Sequence, residues 1–199
     1  MKAIDVVLAL IFGRIIGFLL GDFLREWEIH INLYLNLIIW IAFPLISLFC
    51  LWLAHLIGRK FLFIYQGAKF FLVGAVATVV DLKLFEFIWL LVLAQIQASS
   101  IIAKGFSFVI STALKYWGNK YWAFQKHGKE NIHKEMAQFF LITLIGLAVD
   151  ILSFRYFVNA LGPQFDIPAA IWIKLSVIFA AIIAAIWNFI GYKFFVFKK

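Results

Sequence analysis

Two aspartates lie inside long apolar stretches, at matching places in two similar segments of the chain. Lys69 to Asp81 matches Gln138 to Asp150, 69 residues later, and each segment reaches a carboxylate near the middle of an apolar run. A carboxylate near the midplane of a membrane is costly unless it is paired, hydrated or protonated. Its presence in both segments favours a shared polar cavity that carries a polar molecule. The alternative is that each aspartate only holds neighbouring helices together.

Other charged residues also match between the two segments. Glu86 aligns with Arg155, and facing each other they would form a buried ion pair that fixes the packing of the two copies. Arg155 could instead bind a phosphate through the fork of its guanidinium. Lys104 and Lys174 match at an offset of 70, each near the outer start of a helix. They are either snorkelling anchors or two cations that receive a phosphate.

Each copy closes on an aromatic and basic stretch. Gly118 to Phe124 and Gly191 to Phe197 share the pattern Gly-x-Lys-aromatic-aromatic-x-Phe. Such ends anchor many membrane helices at the interface. Amides are poor anchors but good partners for sugar hydroxyls and phosphates, so substrate binding is the other interpretation. The polar residues concerned are Lys115, Asn119, Lys120, Asn188 and Lys193.

The elements that position these residues are predicted to be transmembrane helices. The chain has 199 residues, 65% of them hydrophobic, and its mean hydropathy is +1.01, too apolar for a soluble domain of this length. Crossing the hydrocarbon core takes about 20 apolar residues. Continuous runs without the alternation of a barrel predict an all-α polytopic membrane protein. Six stretches are long enough and predict six transmembrane helices: 3–24, 31–57, 68–94, 100–123, 137–161 and 168–192.

The last four helices form a duplication. The copies 66–124 and 137–197 each hold two helices, so both cross the membrane in the same direction, which predicts a parallel pseudo-two-fold axis. Residues 1–65 match neither copy and are interpreted as an added N-terminal hairpin beside a four-helix domain, 66–199. Because nearly all Lys and Arg outside the helices fall on one side, both termini are predicted to be cytoplasmic.

Two of these stretches carry a family resemblance. Lys69 to Asp81 resembles the opening of GtrA-like membrane proteins, and Asn119 to Phe124 resembles their closing Asn-Arg-x-Trp-x-Phe signature, with Lys in place of Arg. Asn188 and Lys193 to Phe197 look like a degenerate second version. The resemblance implies a small protein of the bacterial cytoplasmic (inner) membrane that flips polyprenyl-phosphate-linked sugars for cell-surface polysaccharide synthesis or modification. It also implies a membrane glycosyltransferase as partner.

The resemblance makes the polar residues of both copies candidates for binding the lipid-linked sugar. These candidates are Asp81, Asp150, Arg155, Lys104, Lys174, Lys115, Asn119, Lys120, Asn188 and Lys193. The chain departs from the family in two ways. The first is the added hairpin, which leaves the oligomeric state open, and a homo-oligomer is one possibility. The second is Lys115, which stands where the other copy has Asn188 and suggests that the two halves of the site are not equivalent.

The sequence leaves other functions open. The main alternative is a non-transporting membrane partner that recruits or positions a polyprenyl-phosphate glycosyltransferase through the basic loop 125–135. A third is a small-drug or ion exporter that binds cations at Asp81 and Asp150. No phosphotransferase, nucleophile-elbow or Gly-rich phosphate-loop pattern occurs, so neither an enzyme nor a catalytic residue is expected. The single cysteine, Cys50, excludes an intrachain disulfide and a CxxC site, and no metal or cofactor is expected. The net charge of +8 indicates contact with membrane lipids and their anionic headgroups, not nucleic acid.

The predicted topology can be tested by cysteine labelling in intact cells. In a Cys50→Ala background, single cysteines in the 25–30 and 95–99 loops should react with a membrane-impermeant reagent added outside. A cysteine at position 128 should react only after the membrane is opened. Outside labelling at 128 would reverse the predicted orientation of every helix.

Overall fold

The computed structural model describes residues 1–26, 32–88, 100–128, 131–165 and 168–198. The side chains described within these ranges exclude those of Phe23, Arg25, Glu26, Ser100, Ile101, Ala170, Ile171 and Lys174. The regular structure described consists of six α-helices: α1 (Ala3–Glu26), α2 (Leu33–Gly58), α3 (Leu62–Ile88), α4 (Ser100–Gly118), α5 (Ile132–Arg155) and α6 (Ala169–Gly191). The last three helices continue into π-helical turns, at Asn119–Ala123, Tyr156–Leu161 and Tyr192–Val196.

The lengths and compositions of the helices are those of a multi-pass membrane protein. Within the described parts of the chain, four segments are long and apolar enough to cross a membrane: Ala3–Asp22, Leu33–Gly58, Ile132–Leu161 and Leu175–Val196. The all-helical class is therefore confirmed. Neither α3 nor α4 is among these four segments. Six spans and the duplicated architecture stay predictions.

The chain divides into two compact units, Met1–Gln125 and Lys126–Lys199, called unit 1 and unit 2 below. In unit 1, α1 packs on α2 and α3, α2 packs on α3, and α3 packs on α4. In unit 2, α5 packs on α6. The added hairpin thus belongs with the first copy in packing. The predicted division into 1–65 and 66–199 follows sequence similarity and stays a prediction.

Unit 1 is held together by a small apolar core, while many of its large apolar side chains face outwards. Leu51 of α2, Val73 of α3 and Trp122 after α4 meet in one buried cluster. On α3, Phe70 is buried but the next residue, Phe71, is 68% exposed. Such an exposed apolar surface is stable in hydrocarbon and unfavourable in water, which agrees with a lipid environment.

The two helices of the added hairpin cross closely at a proline. A Cβ placed on Gly13 of α1 would lie 2.6 Å from the Pro44 Cα, so the approach needs glycine. Pro44 has no N–H and leaves the Trp40 carbonyl without its helical partner. Arg14 donates to that carbonyl at 2.7 Å, and its guanidinium carbon lies 3.7 Å from the centroid of the Trp40 ring. An arginine of α1 therefore satisfies a break in the hydrogen bonding of α2.

The role of Arg14 can be measured with a double-mutant cycle. Arg14→Met should lower the free energy of unfolding in detergent by about 1 kcal/mol or more, because a charge-assisted hydrogen bond is lost. In a Pro44→Ala background the helix supplies its own N–H to Trp40, so the same change should cost less. An equal cost in both backgrounds would contradict this account of the crossing.

Candidate functional site

Asp81, the duplicated carboxylate of the first copy, is held by two side chains of α4. The Lys104 ammonium donates to one carboxylate oxygen, and Ser107 Oγ donates to the other at 2.7 Å. The sequence placed Asp81 near the midplane and Lys104 near the outer start of its helix, but the ion pair sets them at one level. The Lys104 side chain stays 51% exposed, and that of Asp81 is 18% exposed. A half-exposed lysine of this kind can exchange its carboxylate for another anion.

The matching residues of the second copy are placed differently. Asp150 is half-buried on α5, and Arg155, the last residue of that helix, is exposed. Among the described side chains, neither makes an ion pair or a hydrogen bond. Lys174 lies on α6, but its side chain is outside the described ones. The predicted pairing of Lys104 with Lys174 therefore stays a prediction.

Glu86 is paired within its own unit. Lys83 Nζ lies 2.8 Å from the Glu86 carboxylate and 2.5 Å from the Asp22 carboxylate of α1. Lys83 thus links α3 to the added hairpin. Because Lys83 is shared between two carboxylates, the three side chains together keep one negative charge. An ion pair between Glu86 and Arg155 stays a prediction.

The two aromatic and basic ends fold in the same unusual way. α4 and α6 each pass at a glycine into a π-helical turn. The Phe124 N–H donates to the Asn119 carbonyl at 2.9 Å, and the Phe197 N–H donates to the Tyr192 carbonyl at 2.8 Å. Short π-helical segments are rare and often found at functional sites. The shared sequence pattern is therefore also a shared local backbone.

The lysines of these ends are packed rather than extended into solvent. Lys120 is fully buried, with Nζ 3.3 Å from the Tyr116 hydroxyl. Lys193, at the same place in the second pattern, is half-buried, and its ammonium lies 5.6 Å from the centroid of the Phe194 ring. Lys115 is half-buried in the last turn of α4. Their predicted role in substrate binding is not tested by these contacts.

Two candidate amides have an unsatisfied acceptor. The Oδ1 atoms of Asn119 and Asn188 are buried and have no hydrogen-bond partner among the described residues. Asn119 Nδ2 donates to the Lys115 carbonyl at 2.9 Å, which leaves the oxygen as its unused atom. Asn188 lies against α5 at Gly146, where a Cβ would collide with the amide. A buried acceptor without a donor is costly, and a sugar hydroxyl would satisfy it.

A group that sequence reasoning missed lies where α3 begins and the turn after α4 ends, and there four donors surround Asp5 of α1. Lys69 Nζ and Trp122 Nε1 donate to Oδ1 at 2.6 and 2.9 Å, and the Tyr65 hydroxyl and the Lys2 N–H donate to Oδ2, both at 2.8 Å. Asp5 is 2% exposed and Lys69 1%. The Lys69 ammonium also lies 4.3 Å from the centroid of the Tyr65 ring. We call Tyr65, Lys69 and Trp122 the first recess.

Unit 2 contains an open cavity where α5 begins and the π-helical turn follows α6. Its volume is about 450 Å³. We call it the second recess, and it is lined by Lys126, Gly128, Asn131, Lys134, Glu135, Gln138, Phe195, Val196 and Lys198. Lys126 forms an ion pair with Glu135 at 2.6 Å. No ion pair to Lys134 or Lys198 is found among the described side chains, so these two lysines give the recess a net positive charge.

A family match covers most residues of both recesses, with Tyr65 and Lys198 lying just outside it. The sequence model of a family described as the GtrA/DPMS transmembrane domain matches residues 69–197, well over half of the chain. No curated protein and no solved structure matches the chain. The match begins at Lys69 and ends at Phe197, so Asp5 and the added hairpin lie outside it.

The glycines that precede the π-helical turns provide a test of this packing. A Cβ on Gly118 would lie 2.8 Å from a Val73 methyl carbon, and one on Gly191 would lie 2.5 Å from an Ile142 methyl carbon. Gly118→Ala should therefore destabilise unit 1 by about 1–3 kcal/mol, and Val73→Ala should relieve part of that cost. Gly105→Ala on the same helix, where nothing lies within 4 Å, is the matched control and should be neutral or stabilising. Thermal unfolding in detergent measures the stability of Gly118→Ala, Gly118→Ala/Val73→Ala and Gly105→Ala. Equal effects of the alanine substitutions at Gly118 and Gly105 would contradict the close approach of Gly118 to Val73.

Proposed function

Because this chain belongs to the family of GtrA/DPMS transmembrane domains, we propose that it flips a polyprenyl-phosphate-linked sugar across the membrane. The family is tied to the handling of such lipids. The observation that supports a direct role is the second recess. It offers an anionic headgroup a cationic cavity at the end of a membrane helix pair, where a lipid phosphate would lie.

The charge of the second recess suits a phosphate. Lys126 is neutralised by Glu135, whereas Lys134 and Lys198 add two positive charges to the lining. Cations at the membrane surface attract anionic headgroups with about 1 kcal/mol each. The volume of about 450 Å³ is also within the range of small-molecule sites. A phosphate with an attached sugar fits these dimensions and this charge.

The apolar flank of the second recess suits a polyprenyl chain. Phe195 lines the cavity and is 69% exposed, and its neighbour Phe194 is 58% exposed. A lipid-linked sugar needs this combination, because its phosphate must be bound while its tail stays in hydrocarbon. A site for a free sugar phosphate would not need exposed aromatic rings beside it.

Polar residues deeper in each copy are proposed to carry the headgroup across. In unit 1, Lys104 is half-exposed and bound to Asp81, so its ammonium can turn to a passing phosphate while Ser107 still donates to the carboxylate. In unit 2, Asp150 and Arg155 lie along α5. We propose six membrane spans, with both termini in the cytoplasm of a bacterium and the second recess on the cytoplasmic side. A glycosyltransferase that makes or uses the lipid-linked sugar is the partner that this role implies.

The second candidate is a partner protein that binds the lipid-linked sugar without moving it. It is favoured by the position of Lys126 and Lys134, which belong to the basic loop 125–135 and also line the second recess. The same surface could present a bound headgroup to a glycosyltransferase. The two functions differ in whether Asp81 and Asp150 are needed.

Purified protein in liposomes separates these functions. The full chain should accelerate transbilayer movement of a polyprenyl-phosphate sugar with no glycosyltransferase present. Asp81→Asn and Asp150→Asn should each slow the movement about tenfold or more, because a carboxylate accepts hydrogen bonds from sugar hydroxyls more strongly than a neutral amide oxygen does. The rate is measured by the loss of lipid that an enzyme outside the liposomes can reach.

Lys60→Gln is the matched control, because Lys60 is exposed in the turn between α2 and α3 and belongs to neither recess. It should leave the rate unchanged. Folded wild-type protein that binds the lipid but does not speed its movement would refute flipping and favour the partner function.

A further inference from the structure

The two recesses occupy the same position in the two copies. Lys69 and Gln138 open the matching segments and are 69 residues apart. Tyr65 and Lys134, which lie just before the copies 66–124 and 137–197, are separated by the same offset. Trp122 and Phe195 hold the same place in the two closing patterns. Three residues that surround Asp5 therefore correspond to three residues that line the open cavity of unit 2.

The first recess has the chemistry of an anion site. Its donors are an ammonium, a phenol and an indole N–H, all directed at one carboxylate within 2.6–2.9 Å. Charge-assisted hydrogen bonds of this kind are as suitable for phosphate as for carboxylate. Removal of the anion would leave these three buried donors without an acceptor.

The anion that fills the first recess comes from outside the copy. Asp5 lies on α1 of the added hairpin, whereas Lys69 and Trp122 lie within the residues that match the family. Lys69 and Trp122 are thus part of the duplicated domain, and Tyr65 lies one turn before Lys69 on α3, whereas the acceptor belongs to α1. In the second copy no residue of the described chain plays the part of Asp5, and the corresponding space is open.

We infer that both recesses are anion sites for a lipid-linked phosphate, and that Asp5 is a tethered occupant which closes the first one. The carboxylate stands in for the phosphate oxygens. The wild-type chain consequently binds one phosphate, in the second recess. The hairpin thus leaves one of two related anion sites closed and the other open. The choice of a lipid-linked phosphate rests on the proposed function, but the anion sites themselves do not require flipping.

Native mass spectrometry of the full chain in detergent tests the inference by counting bound ligands. The probes are a polyprenyl phosphate, inorganic phosphate and phosphatidylglycerol. Wild type should bind one polyprenyl phosphate, and Asp5→Ala should bind two. In the double variant Asp5→Ala/Lys69→Gln, the affinity of the first recess for polyprenyl phosphate should be about tenfold lower, or lower still, than in Asp5→Ala. Lys134→Gln/Lys198→Gln should instead weaken the single wild-type site.

Asp22→Ala is the matched control, since it also removes an α1 carboxylate bound to a lysine of α3 but lies outside both recesses. It should bind one ligand, as wild type does. Preference for polyprenyl phosphate over phosphatidylglycerol supports a carrier lipid as the ligand. Equal binding of the two supports the anion sites but overturns the assignment to a carrier lipid. Extra binding of inorganic phosphate alone would also overturn that assignment.

The inference is overturned if folded Asp5→Ala binds no more ligand than wild type. If Asp5→Ala and Asp5→Ser both lose thermal stability, added phosphate should restore it in them and not in Asp22→Ala. Failure of phosphate to restore it would make Asp5 purely structural. A ligand count that rises as expected in protein that does not flip lipid would leave this inference standing and refute the transport role alone.

Discussion

The buried ion pair between Asp5 and Lys69 is the contact on which the arrangement of unit 1 depends. Two charges that are 2% and 1% exposed are costly to remove from water, and the pair is tolerated because its geometry is complete. Tyr65, Trp122 and the Lys2 N–H supply the remaining donors to the carboxylate. Losing the carboxylate would leave a buried ammonium and two buried donors without an acceptor. The added hairpin is therefore fixed to the family domain by electrostatics as well as by apolar packing.

This contact gives the two halves of the chain different roles. In the first half Lys69 is paired with Asp5 of the hairpin, and the other ion pairs described in unit 1 join Asp81 to Lys104 and Lys83 to Asp22 and Glu86. The second half keeps a cationic recess open beside exposed aromatic rings. A carrier or presenter of lipid-linked phosphate needs one accessible headgroup site. On the proposed account, Asp5 closes the site of unit 1, and the site of unit 2 is the accessible one.

The sequence predicted the helices, the family and the two closing patterns well, because these depend on local composition and short spacing. Gly118 and Gly191 marked the places where π-helical turns begin, although nothing local revealed the turns themselves. The partners of Asp5 could not be predicted, since they lie 60, 64 and 117 residues away and only tertiary packing joins them. The ion pair between Asp81 and Lys104 could not be predicted for a similar reason. The position of each residue along its own helix does not show how α3 and α4 are shifted relative to each other. An open cavity such as the second recess has no sequence signal beyond scattered lysines.

The most direct measurement of the central claim is the contact between ligand phosphate and lysine nitrogen in the membrane-bound protein. Solid-state NMR of ¹⁵N-lysine-labelled chain with bound polyprenyl phosphate reports it through ¹⁵N–³¹P dipolar dephasing. The account predicts dephasing of ammonium signals that disappears in Lys134→Gln/Lys198→Gln, with the Lys69 signal unaffected while Asp5 is present. Dephasing that survives in that variant, or that involves Lys69 in the wild-type chain, would contradict it.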